Sequence, residues 1–101
     1  MIKTPDFWVY ILYCKNNNFY IGYTTDLIQR YRLHSKGKAA KYTRSFPPCY
    51  LAQVWPIYGP KKQAMQLERI LKKMQRSQKQ VVVDNPEILK QLILNQNIEL
   101  D

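Results

Sequence analysis

Residues Phe7–Cys14 read FWVYILYC, Lys15–Asn18 read KNNN, and Phe19–Thr24 read FYIGYT. The first run is aromatic and β-branched with few polar interruptions, the pattern of a strand buried on both faces and therefore central in its sheet. The polar tetrapeptide is turn chemistry and the second run resumes strand character, so the three together predict a β-hairpin. Its parity governs what it can present. Pairing Cys14 with Phe19 would put Tyr10 and Tyr20 on opposite faces, whereas pairing Tyr13 with Phe19, or inserting a bulge, puts them on the same face.

Beyond the hairpin, Asp26 can cap a helix, with Gln29 three residues on in a capping-box-like arrangement and Gly37 as its stop. Leu27, Ile28 and Tyr31 are expected to face the core from it, and Arg30 and His34, four residues apart, to lie together on a neighbouring face. Lys36 to Pro48 reads as a basic loop. Tyr50 to Ile57 reads as a third strand, with Pro56 confining its end to an edge or bulge. Gly59-Pro60 opens a second helix, because proline suits a first helical position. Ala64, Leu67, Leu71 and Met74 recur at helical spacing as its buried stripe, with Ile70 alongside and Glu68 at the margin. Asp84 or Asn85, followed by Pro86 and Glu87, predicts a C-terminal helix over residues 84–95 with Ile88, Leu89, Leu92 and Ile93 as its apolar face. No repeat or linker breaks the 101 residues, and 46% hydrophobic content suits one domain, residues 1–101, with a modest core.

The formal net charge is +9, which points to nucleic acid or an anionic surface as partner. Membrane insertion is not expected, since the longest mainly apolar run, Phe7 to Cys14, is far short of the ~20 residues that a spanning helix needs. That run is also rich in tyrosine and lacks a small-residue cleavage site, so it makes a poor secretory signal. Cys14, Cys49 and one histidine do not make a zinc site, and the expectation is a reduced cytoplasmic protein with two structural thiols and no obligate protein partner. Between Arg30 and Lys79 there are thirteen Lys and Arg residues and a single carboxylate, Glu68. A surface that only coats phosphates gains nothing from that carboxylate, which repels the ligand. A surface that holds a divalent cation against a phosphate needs it, because hard cations take oxygen ligands. An ion pair with Lys61, Arg69 or Lys72 is the plain alternative.

In order, the chain presents Trp8-Val9-Tyr10, Tyr20-Ile21-Gly22, Arg30 ten residues after that tyrosine, His34 four further, and Glu68 on a later helix. It resembles the GIY-YIG nuclease family, specifically its short, free-standing bacterial members. Tyr20-Ile21-Gly22 matches the second half of the family name letter for letter, while Trp8-Val9-Tyr10 keeps only the tyrosine of the first half. Lys41-Tyr42-Thr43-Arg44 looks like the basic loop of the short members. The likeness runs from Trp8 to about Lys79. The asparagine that many members carry after the glutamate has candidates here only by order, Asn85 and Asn95.

The resemblance implies an α+β fold, a small and mainly antiparallel three-stranded sheet flanked by helices. It also implies an endonuclease that hydrolyses DNA phosphodiester bonds with one divalent ion, Mg²⁺ or Mn²⁺, of a kind that serves DNA repair or recombination. On that reading Tyr20 is the general base or the group positioning it, and Tyr10 orients the water or phosphate. Arg30 clamps a phosphate, His34 relays a proton or holds a phosphate oxygen, and Glu68 is the protein's ligand to the metal. Gly22 admits a close approach that a Cβ would block. Lys36, Lys38, Lys41, Arg44 and Lys72 would bind the nucleic acid, which is DNA with RNA as a further option. A module of the same charge that holds nucleic acid and cuts nothing is the competing reading, and an RNA-associated accessory protein is a third.

The charge distribution makes one quantitative demand. With about five phosphate contacts on duplex DNA, a plot of log K against log salt should fall with a slope near −4.5. Titration of a labelled duplex at several salt concentrations measures it, and a slope near zero would show that the basic field is not the binding surface.

Overall fold

The computed structural model describes residues 3–90. Strand β1 (Phe7–Cys14) lies between β2 (Phe19–Thr24) and β3 (Pro48–Ile57), antiparallel to both. The fold is α+β. Val9, Ile11, Leu12 and Cys14 of β1 are wholly inaccessible to solvent, as the unbroken apolar run requires of a central strand. The hairpin pairs Tyr13 with Phe19 and Tyr10 with Gly22. Asn17 takes a positive φ of 62° in the turn, and its Oδ1 accepts from the Tyr13 hydroxyl. Asparagine tolerates this left-handed backbone better than most residues.

Alternation along β1 divides the core in two. Val9 and Ile11 join Phe19 and Ile21 on one face, beneath helices α3 (Lys61–Lys73) and α4 (Arg76–Asp84). Ala64, Leu67 and Leu71 form the buried stripe of α3, and Val82 is buried from α4. Tyr10, Leu12 and Cys14 face the other way, toward helix α1 (Leu27–Ser35) and the short helix α2 (Lys41–Ser45). Asp26 caps α1 by accepting from the Gln29 backbone amide, and Gly37 follows the helix with φ 72°.

Several elements differ from the sequence reading. Ile28 is 67% exposed. The side chains that α1 turns to the sheet are Leu27, Tyr31 and His34, spaced four and three apart, and Ile28 lies about 100° off that stripe. The span Lys36–Pro48 holds α2, not only loop, and β3 begins at Pro48. Residues 76–84 form α4, whose N-cap Gln75 makes a reciprocal capping box with Gln78. Asp84 therefore ends a helix, and Asn85 caps it with its backbone amide on the Val81 carbonyl. Helix resumes at Ile88 to Lys90, with Leu89 buried. Leu92, Ile93 and Asn95 lie outside the described residues. Cys14 is buried and burial pushes its thiol pKa up, but Cys49 is exposed and so is not a structural thiol. Among the described residues no helix is long and apolar enough to cross a membrane.

The buried polar anchor of the α1 face is His34, 1% exposed. Its Nε2 lies 2.8 Å from the Tyr10 hydroxyl and its Nδ1 lies 2.7 Å from Thr43 Oγ1, so one imidazole ties α1 to β1 and to α2. Burial, helped by the nearby Arg30 cation, lowers its pKa from 6.5 to about 4. A lowered histidine pKa stabilises the fold fully above the unfolded value and is lost as pH falls through the folded one, because the unfolded chain takes up the proton first. Urea unfolding should therefore show stability falling between pH 6.5 and pH 4, by up to about 3 kcal/mol. His34→Gln, which cannot titrate, should flatten that segment of the curve. A wild-type profile that is level across this window would contradict the assignment.

Candidate active site

Tyr10 and Gly22 are cross-strand neighbours, so Tyr10, Gly22 and Tyr20 share a face of the hairpin. A Cβ built on Gly22 would stand 2.5 Å from the Tyr10 hydroxyl oxygen and 2.7 Å from its Cζ. The missing side chain is thus the space into which the Tyr10 ring packs. Tyr20, two residues before the glycine, is held by its neighbours: its ring centroid is 5.0 Å from His34 and 5.8 Å from Tyr42, stacked on the latter.

A pocket of about 420 Å³ opens here, lined by Tyr10, Tyr20 and Gly22 of the hairpin, Arg30 of α1, and Lys61 and Glu68 of α3. The two helices lie on opposite faces of the sheet, and each contributes residues to the one pocket beside the hairpin. Tyr10 is 2% exposed, and burial is the main reason that its pKa is raised above the ordinary phenol value; Tyr20 and Glu68 push the same way, against Arg30. Tyr10 is accordingly a neutral phenol at pH 7.

His34 does not line the pocket. It sits behind Tyr10 and communicates with the pocket through the Tyr10 hydroxyl. Its position four residues after Arg30 suggested a shared face, but Arg30 turns to the pocket while His34 is the residue that α1 buries. Glu68 forms an ion pair with Lys72, Oε1 to Nζ 3.5 Å, four residues along the helix. Lys61 lines the same pocket; in the sequence it stood out as a member of the basic run and as a possible ion-pair partner of Glu68, not as a site residue. Lys36, Lys38, Lys41, Arg44 and Lys72 are all exposed and lie outside the pocket lining. Asn85, exposed at the end of α4, also lies outside it.

One carboxylate, Glu68, lines the pocket. Among the described residues no three His, Cys, Asp or Glu side chains cluster closely enough to cage an ion. A single partly accessible carboxylate facing a polar pocket suits a hard ion that keeps most of its waters, as Mg²⁺ does. Glu68 is the residue that could hold it.

Comparison with known proteins agrees with this geometry. The GIY-YIG catalytic domain matches residues 6–80. The UPF0213 protein BH0048 of Halalkalibacterium halodurans is 42% identical over 76 residues, 75% of this chain and 80% of that protein. The UPF0213 protein YazA of Bacillus subtilis is 36% identical over 83 residues, 82% of this chain and 83% of that protein. The UPF0213 protein VC_A0739 of Vibrio cholerae is 37% identical over 84 residues, with 82% and 83% covered. The solution NMR structure of BH0048 from Bacillus halodurans superimposes with a TM-score of 0.50 at 37% identity, over 83% of this chain and 92% of that one. With the matched domain spanning most of the sequence, and with Tyr10, Tyr20, Arg30 and Glu68 around one pocket, the chain belongs to the GIY-YIG family, a nuclease superfamily, among its short UPF0213 members.

Proposed function

We propose that this protein is an endonuclease that hydrolyses DNA phosphodiester bonds with Mg²⁺ or Mn²⁺, in the service of DNA repair or recombination. The observation that carries the reading is the shared pocket of two tyrosines, an arginine, a lysine and one carboxylate. Hydrolysis of a phosphodiester requires positive charge on the phosphoryl oxygens and an aligned water with an acceptor for its proton. Arg30 offers a planar fork of donors to a phosphate oxygen, and Lys61 offers a second, movable charge. The Tyr20 hydroxyl projects from a ring fixed by His34 and Tyr42 and holds the attacking water or takes its proton. The neutral Tyr10 hydroxyl orients the same water. Glu68 would hold the cation, and when bound that cation would polarise the phosphoryl group and offset charge on the leaving oxygen. Lys36, Lys38, Lys41, Arg44 and Lys72 bind the flanking backbone, which positions the duplex without reading its sequence.

The alternative is a non-catalytic nucleic-acid-binding module, and the Glu68–Lys72 pair is the observation that favours it. Glu68→Ala separates the two. For a nuclease it should abolish metal-dependent cleavage while leaving DNA affinity, measured in Ca²⁺, unchanged or higher, because a negative charge has left a positive surface. For a binding module it should cost at most about 1 kcal/mol of stability, with no activity to lose. Tyr20→Phe removes one hydroxyl with little change in packing, and should lower the cleavage rate by roughly 10²- to 10⁴-fold. The assay is cleavage of branched, nicked, duplex and single-stranded DNA with and without Mg²⁺ or Mn²⁺. Wild-type cleavage that survives in Glu68→Ala refutes this mechanism, and no cleavage of any substrate favours the binding module.

A further inference from the structure

Thr43 stands inside the basic segment Lys41-Tyr42-Thr43-Arg44, yet it is wholly buried. Its hydroxyl oxygen lies 2.7 Å from His34 Nδ1 and 3.3 Å from the Ala40 carbonyl. His34 Nε2 in turn lies 2.8 Å from the Tyr10 hydroxyl, which borders the pocket. The protons of this chain can be placed from both ends. The Ala40 carbonyl accepts from the Arg44 amide with one lone pair and from the Thr43 hydroxyl with the other, so the single Thr43 proton goes to it and a Thr43 lone pair is left for His34. Nδ1 must then carry a hydrogen. A neutral imidazole has only one, so Nε2 is bare and accepts from Tyr10. At the other end, Arg30 lines the same pocket as Tyr10, its cation favours the charged phenol form, and it has only donors to offer. The Tyr10 lone pairs belong on that side and its proton on the side of His34. The opposite assignment would leave Ala40 without the Thr43 proton and aim the Tyr10 O–H at a guanidinium.

We propose that Thr43 is a positioning residue of this site: it holds the His34 proton on Nδ1, so that Nε2 takes the Tyr10 proton and the Tyr10 oxygen turns its lone pairs toward the pocket. Tyr10 then meets an incoming water as an acceptor. If Thr43 were lost, a hydrogen on Nδ1 would be buried with no acceptor, a larger penalty than turning the Tyr10 proton outward to water in the pocket, so the ring proton would move to Nε2 and the Tyr10 proton would swing into the pocket on the Arg30 side. The tautomer stands apart from the enzymatic reading, whereas its effect on rate rests on the nuclease proposed above.

His34 is the sole histidine, so its ring nitrogens can be read without ambiguity in a long-range ¹H–¹⁵N spectrum of the tag-free protein at pH 7. The wild type and Thr43→Ser should show a protonated Nδ1 and a bare Nε2, and Thr43→Val, of nearly equal shape, should show the reverse. In cleavage assays Thr43→Val should lower kcat by roughly 10- to 100-fold with KM changed less than about twofold, and Thr43→Ser should restore most of the rate. Thr43→Ala, run beside it, serves the same comparison if the valine variant does not fold. A wild-type spectrum with the proton on Nε2 overturns the assignment. A variant whose tautomer is reversed but whose kcat is unchanged overturns the positioning role. A wild type that cuts nothing overturns the nuclease reading, while its spectrum still decides the tautomer.

Discussion

The pairing of Tyr13 with Phe19 across the Asn17 turn is the constraint on which the pocket depends. A slip of one residue, to a Cys14–Phe19 pairing, would reverse every side chain of β2 relative to β1, sending Tyr20 to the α3 face and setting Tyr23, not a glycine, opposite Tyr10. In the observed register Gly22 lies opposite Tyr10, and the phenol settles where a Cβ would have stood. One glycine thus lets two tyrosines occupy the same face of a single hairpin, one with its ring buried in the sheet and one at the pocket wall.

The second constraint is electrostatic. Burial keeps Tyr10 protonated and His34 unprotonated near neutral pH, so the layer beneath the pocket carries no charge while Arg30, Lys61 and Glu68 supply charge at its rim. A neutral, hydrogen-bonded layer does not rearrange when an anion arrives, and such preorganisation is what makes fixed dipoles effective against developing charge. The same layer knits the fold: β1, α1 and α2 meet at Tyr10, His34 and Thr43. Stability and the geometry of the site are therefore coupled through one imidazole.

α2 shows how little of a segment's role its charge reveals. Lys41 and Arg44 make it look like a solvated phosphate-binding loop, and both are indeed exposed. The residues between them turn inward, Tyr42 stacking on Tyr20 and Thr43 bonding to His34. Its five residues are too few to hold a helix by propensity alone, and the contacts of Tyr42 and Thr43 with the first layer supply what propensity lacks.

The sequence by itself determined the three strands, the hairpin, the capped α1, the buried stripe of α3 and the lone carboxylate in a basic field. All of these are written in local periodicity, turn chemistry and composition, which do not depend on what lies across the core. Tertiary structure alone decided the burial of His34 in place of Ile28, the inward turn of Thr43, the presence of Lys61 in the pocket and the folding of residues 76–84 as α4. The physical reason is that a polar side chain is buried only where a partner waits for it, and the partner of His34 is Tyr10, 24 residues away in the chain. A window of sequence can show that a helix has an apolar side. It cannot show that a histidine belongs to that side until the strand bearing the tyrosine is laid against it.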